Sequence, residues 1–220
     1  MRGLNARRLR GLAQSFNDEK ASFKERTAGM PGDDWLQARY YERRTVLGLA
    51  LTPLLGCATR AADDVEAAKP PAPDDHFVFL SGPKKGQIVL VEDVALGDPQ
   101  VQAYPAAPDG TVRDASRLNL VVLARFDPAS LKDETRARAA DGVVAYSAIC
   151  THQGCPVNIW SQERDAFVCS CHGSVFDPKN GAEVVDGPAP RSLPALGLKV
   201  KNGTIIVAST FSGRVGFIPA

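Results

Sequence analysis

Histidine is scarce in this chain, with three in 220 residues, beside two methionines and two tryptophans. There is no apolar run near the roughly 20 residues that span a bilayer as a helix, which excludes a full-length transmembrane segment of that kind. Charge of either sign is in no large excess. The net charge is +1 and the pI near 7.6, so no bulk electrostatic pull favours nucleic acid or an acidic partner. No internal repeat is present, which excludes a solenoid. Glycine (19) and proline (16) are frequent, which suits a loop-rich β protein better than a helical bundle.

The few histidines are not scattered. Two of them, and four of the five cysteines, fall in two short blocks. The first reads Cys150-Thr-His152-Gln-Gly154-Cys155 and the second Cys169-Ser-Cys171-His172-Gly173-Ser174. Soft thiolates and imidazoles gathered in this way suit zinc or an iron–sulfur centre. His76 alone is left over. A non-haem iron site of two histidines and one carboxylate is thereby excluded, and His76 reads as an ordinary core or surface histidine.

Residues 1–44 are polar and mildly basic and show no apolar periodicity, which predicts a disordered or weakly helical segment, with Met30 as an alternative start. Glu42 to Cys57 joins the pair Arg43-Arg44 to a short apolar run, Val46–Leu55, ending in Leu54-Leu55-Gly56-Cys57. A basic pair before a short apolar run is the pattern of a bacterial export signal, here of twin-arginine appearance. The last four residues resemble a lipobox, making Cys57 a candidate lipidation site, against an uncleaved or differently cleaved signal. Residues 1–57 are thus read as an N-terminal extension and signal. Residues 58–75, rich in alanine, proline and acids, read as a semi-stiff tether. Basic before the apolar run and acidic after it fits the positive-inside pattern.

The folded part is expected over 76–220. Phe77–Leu80, Gln87–Val94, Asn119–Arg125, Gly142–Ala148, Leu196–Val200 and Thr204–Ala208 are β-prone runs. Residues 97–117 read as loop, and Ser130 to Ala140 as a short helix with Ser130 as N-cap. Asn202-Gly203 predicts a tight hairpin turn. Short strands with closely spaced turns predict an all-β sandwich.

The two blocks resemble those of high-potential Rieske proteins, the 2Fe–2S subunits of cytochrome bc complexes and of arsenite oxidases, over roughly residues 142–208. The resemblance implies a Rieske-type antiparallel β-sandwich with an inserted cluster-binding subdomain at about 147–190. It implies a 2Fe–2S cluster in which two histidines replace two cysteines on one iron. The implied ligands are Cys150, His152, Cys169 and His172, with Cys155 and Cys171 as a disulfide joining the two loops. A structural zinc site could use the same four ligands. Against it stand the two further cysteines, Gly154, Gly173 and the run Gly187-Pro188-Ala189-Pro190, which resembles the loop that covers the cluster in this family.

In the family a hydroxyl at Ser174 bonds a bridging sulfide. The bc-complex proteins usually carry Tyr where this chain has Phe176, so one hydrogen bond to a cysteine sulfur is lost and a lower potential is expected. Phe176, Ser170 in place of the usual Pro, and the missing transmembrane helix all depart from the bc pattern. The implied function is one-electron transfer in a quinol–cytochrome c reductase-like complex. His172 would face the quinone as the catalytic group, cytochrome b would neighbour the donor site, and a cytochrome c-type haem would accept the electron. The alternatives are a small electron-transfer subunit working with a periplasmic catalytic subunit, of the arsenite oxidase kind, or a stand-alone periplasmic carrier. Membrane association through the N-terminal region on the periplasmic side, and export already folded, complete the expectation.

Overall fold

The computed structural model describes residues 64–218. The expected export signal, Met30 and Cys57 lie outside the described residues. Among those described, no helix is long and apolar enough to cross a membrane.

Among the described residues ten strands form two sheets. In chain order they are β1 (His76–Phe79), β2 (Val101–Ala106), β3 (Val121–Arg125), β4 (Val143–Ser147), β5 (Val157–Ser161), β6 (Ala166–Cys169), β7 (Val175–Asp177), β8 (Glu183–Asp186), β9 (Ala195–Lys201) and β10 (Thr204–Ser209). Strands β1-β10-β9-β4-β3-β2 close into an antiparallel barrel, and β5-β6-β7-β8 make a separate four-stranded sheet. The small sheet is inserted in the chain between β4 and β9. The larger sheet closes on itself, and the small sheet packs against its outer face, the two-sheet Rieske-type arrangement expected.

Strands β3 and β4 explain how the two parts cohere. Val121, Leu123, Val143 and Ala145 point into the barrel with Phe77, Leu196 and Ile205. Their neighbours Val122, Ala124, Val144 and Tyr146 point the other way, into a second cluster with Phe167, Phe176 and Val157 of the small sheet. Alternate residues of a strand face opposite sides, so a strand buried on both faces reads as an unbroken apolar run. At the seam Phe126 and Tyr146 meet Trp160 and Phe167, with ring centroids 5.7–6.2 Å apart along the chain of contacts. The tilted and edge-on arrangements are those aromatic quadrupoles favour.

Four local expectations are corrected. Val101–Ala106 is a strand inside the stretch read as loop. Its Pro105 lies beyond the last β2–β3 pair, Ala103↔Val121; there its carbonyl accepts from the Arg113 N–H at 2.8 Å, and the Arg113 carbonyl takes the Asn119 side-chain amide at 3.0 Å in place of a proline N–H. Gln87–Val94 forms only single bridges, Val78↔Ile88 and Leu90↔Thr204. There the Asp93 carboxylate takes the Leu90 N–H at 2.9 Å and helps turn the chain into a 3-10 helix. Ser130 does not cap a helix. It closes the turn Pro128–Ser130, capped by Asp127, and the helix that follows is only Asp133–Arg136, with Lys132 as its N-cap.

The fourth correction is the tether, which is docked onto the domain from Glu66 onward. Arg113 holds the fully buried Asp75 in a two-pronged grip, Nε to Oδ2 at 2.6 Å and Nη2 to Oδ1 at 3.0 Å. Its Nη1 donates to Glu66 Oε1 at 3.1 Å. Asn119 Nδ2 donates to the Lys69 carbonyl, and Asp74 N–H to that of Val207. Such a bidentate guanidinium–carboxylate pair is directional and strong. Arg113→Ala would leave the Asp75 carboxylate buried without its counter-charge, with only the Ala72 N–H at 2.8 Å still bonding it, so we expect a loss of about 3–5 kcal/mol. Urea unfolding of the full chain, followed by far-UV circular dichroism, checks this. The Asp75→Leu/Arg113→Met double substitution should lose much less.

Candidate metal centre

The two Cys/His blocks fold into matched loops. In the first, Cys150 N–H donates to the Cys155 carbonyl at 2.8 Å, and Gly154 N–H returns to the Cys150 carbonyl at 3.0 Å. In the second, Cys169 N–H donates to the Ser174 carbonyl at 2.9 Å, and Gly173 N–H returns to the Cys169 carbonyl at 3.1 Å. Both returns need a residue in the left-handed region, and both have glycine there, Gly154 at φ 73° and Gly173 at φ 69°. Each loop leaves a strand end that the seam has fixed, β4 through Ile149 for the first and β6 for the second. Cys155 and Cys171 form a disulfide with Cα atoms 6.2 Å apart, tying the loops together.

The four remaining Cys and His side chains fall into two pairs. Cys150 and Cys169 are free thiols, each 1% exposed, and they sit within hydrogen-bonding reach of one another. Burial pushes the Cys150 thiol above its usual range; the His152 backbone N–H and the Ser174 hydroxyl oppose the shift. A thiol kept neutral by burial ionises readily only beside a strong positive charge such as a metal supplies. The rings of His152 and His172 lie edge to face, centroids 4.8 Å apart. His172 is exposed and His152 half-buried. Nδ1 of His152 is buried without a hydrogen-bond partner among the described residues, and such an orphan is costly unless something binds it.

A single zinc ion needs four donors at about 2.0–2.3 Å from one point. Among the described residues no three Cys, His, Asp or Glu side chains converge in that way. Two thiols on one side and two imidazoles on the other instead fit a centre of two metal atoms, one for each pair.

Ser174 is fully buried, and its hydroxyl accepts from the Ala189 N–H at 3.1 Å. The Gly187–Pro190 run is thereby pinned onto the second loop. Its approach is close: a Cβ on Gly187 would lie 2.6 Å from Ser174 Cα, at a φ of +86°. Phe176 is fully buried in the same apolar cluster as both thiols. His76 sits on β1 of the barrel, away from this centre. Two supporting residues gave no sequence signal. Buried Thr151 donates through Oγ1 to the Arg191 carbonyl at 2.6 Å. The Arg191 guanidinium in turn donates to the carbonyls of Arg214, at 2.7 Å, and Gly216.

Residues 119–199 match the family model of the Rieske [2Fe-2S] domain. The chain is 39% identical over 98 residues to the cytochrome bc1 complex Rieske iron-sulfur subunit of Streptomyces lividans, covering 44% of this chain and 58% of the relative. It is 46% identical over 76 residues to a putative respiratory nitrate reductase subunit Rieske of Haloferax mediterranei, covering 34% of each. It is 42% identical over 69 residues to the cytochrome b6-f complex iron-sulfur subunit of a Synechococcus strain, covering 31% of this chain and 37% of the relative. The chain thus spans somewhat over half the length of the first of these relatives and about a third of the other two. It carries a Rieske domain, and its cofactor is a Rieske-type 2Fe–2S cluster.

The disulfide closes a separation of 16 residues, for which the chain-entropy argument gives about 3 kcal/mol. Cys155→Ser/Cys171→Ser should therefore lower the unfolding free energy by about that much. The cluster's visible absorption should still form but bleach at a lower temperature. Complete failure to form it would mean that the bridge is needed for assembly.

Proposed function

We propose, on the premise that residues 119–199 are a Rieske [2Fe-2S] domain, that this chain is the electron-transferring iron–sulfur subunit of a quinol–cytochrome c reductase-like complex. Cys150 and Cys169 hold one iron, and His152 and His172 the other. When bound, the cluster takes up and releases one electron at a time. The protein supplies the rest. The seam excludes water from the two thiols, Ser174 aims its hydroxyl at the Cys150 side, and the Gly187–Pro190 run closes the third side. The exposed imidazole of His172 carries this reading, because it is the ligand that a quinol can approach and hydrogen-bond. A cytochrome c-type haem receives the electron. The domain works on the periplasmic face, exported folded and held to the membrane by its N-terminal region.

Phe176 favours a second reading, a small subunit feeding or draining a periplasmic catalytic subunit. No hydroxyl is present there to bond a cluster thiolate, and one relative's name, a nitrate reductase subunit, belongs to that class of assembly.

A quinol-site inhibitor separates the two. A shift of the cluster's EPR signal on adding the inhibitor to membranes supports quinol chemistry, and an unmoved signal supports the second reading. His172→Ala and His152→Ala should each abolish the signal. Phe176→Tyr should raise the midpoint potential. A hydrogen bond favouring the reduced form by about 1.4 kcal/mol corresponds to roughly 60 mV for one electron; a redox titration reads it directly.

A further inference from the structure

The face beside the first ligand loop carries positive charge with no counter-charge. Arg117 lies directly over Gly154, where an added Cβ would sit 3.0 Å from its Nη2. Arg191 flanks the other side, its carbonyl held by Thr151 and its guanidinium by backbone carbonyls alone. Neither arginine belongs to any ion pair among the described residues. The nearest acid in sequence, Asp114, makes no pair with Arg117. On the small sheet, by contrast, Arg164 is neutralised by Asp186 at 3.1 Å, and Lys179 by Asp165 at 2.9 Å.

Apolar side chains share the face. A Cβ on Gly216 would touch Ile149 at 3.2 Å and Leu118 at 3.7 Å, so the C-terminal segment lies over the residue preceding Cys150. Leu118, Phe217 and Ile218 are 43%, 51% and 42% exposed there. Exposed apolar side chains between arginines resemble the core and rim of a protein interface. An overall charge of +1 gives no global steering, so steering depends on local patches such as this one.

We infer that the surface formed by Arg117, Arg191, Leu118, Phe217 and Ile218 docks an acidic, apolar-centred face of the protein that exchanges electrons with the centre. The inference rests on the Rieske reading. Its location argues for a redox partner over a membrane surface: Gly154 is two residues from His152 and next to Cys155, so a protein seated here stands beside the imidazole pair. Unpaired arginines speed encounter with a negative face, and the small apolar patch lets the complex part again. Each productive contact moves one electron from the reduced cluster to one ferric haem, leaving an oxidised cluster and a ferrous haem, with no atoms exchanged.

The test uses the full-length, cluster-loaded protein as wild type, Arg117→Gln, Arg117→Glu and, as a charge control in the turn after β1, Lys85→Gln. Stopped-flow oxidation is measured with an acidic and with a basic c-type cytochrome at matched driving force. The acidic cytochrome should react about threefold slower with Arg117→Gln and about tenfold slower with Arg117→Glu. The basic one should react faster, with both effects fading as salt shortens the Debye length. Independently of electron transfer, the paramagnetic anion hexacyanochromate(III) should broaden the amides of Leu118, Phe217 and Ile218 in wild type and not in Arg117→Glu. Unchanged rates and unbroadened amides, or an equal effect from Lys85→Gln, would overturn the inference. So would loss of binding to phosphatidylserine vesicles in Arg117→Glu without a change in rate, which would make the patch a lipid contact. Absence of the cluster's EPR signal in wild type would instead refute the Rieske reading, and the anion broadening would still decide the surface.

Discussion

The centre depends on a seam between two sheets. Cys150 and Cys169 belong to the apolar cluster that joins the outer face of the barrel to the small sheet. Water excluded from that cluster is water excluded from the thiols, and burial raises the Cys150 thiol above its usual range. The aromatic contacts from Phe126 through Trp160 and Phe167 to Tyr146 therefore act on the electronic properties of the site as well as on stability. Tyr146 shows the same environment. Its hydroxyl, buried, donates to the Pro178 carbonyl at 2.9 Å, and burial pushes its ionisation well above the ordinary phenol range.

The matched loops bring a second constraint. The backbone hydrogen bonds repeat, but the histidines sit two residues after the cysteine in the first loop and three after it in the second. This offset leaves His152 half-buried and His172 exposed. The position after the returning glycine is Cys155 in one loop and Ser174 in the other. One carries the bridge between loops, and the other a hydroxyl directed at a thiol. A nearly repeated backbone thus supports an asymmetric site, in which one imidazole faces the outside.

The chemistry of the site was more legible than the fold around it. Cysteines and histidines are few, and their grouping carried the meaning, so the six residues of the two blocks and the Gly187–Pro190 run could be picked out directly. The disulfide joins Cys155 and Cys171, the pair the resemblance implied. Strands β3 and β4 were visible because burial on both faces leaves an unbroken apolar run. Strand β2 was hidden by Pro105, whose usual meaning is overridden because the carbonyl its missing N–H would have faced is taken by the Asn119 side chain. The docked segment was hidden because its partner, Arg113, lies 38 residues from Asp75 and alanine–proline–acid composition describes a chain with nothing to bind. Thr151 and Arg191 act through backbone carbonyls, a role no residue pattern reveals.

The grip of Arg113 on Asp75 has a mechanical side. Any pull transmitted along the chain from the N-terminal side reaches Glu66 and Asp75 before it reaches β1. The force is then taken up by a buried guanidinium–carboxylate fork and by the hydrogen bonds of Asp74 and Asp75 to Val207, loaded together, and not by peeling β1 from the barrel one bond at a time. A domain pulled from its N-terminal side is thereby spared from having its barrel unzipped.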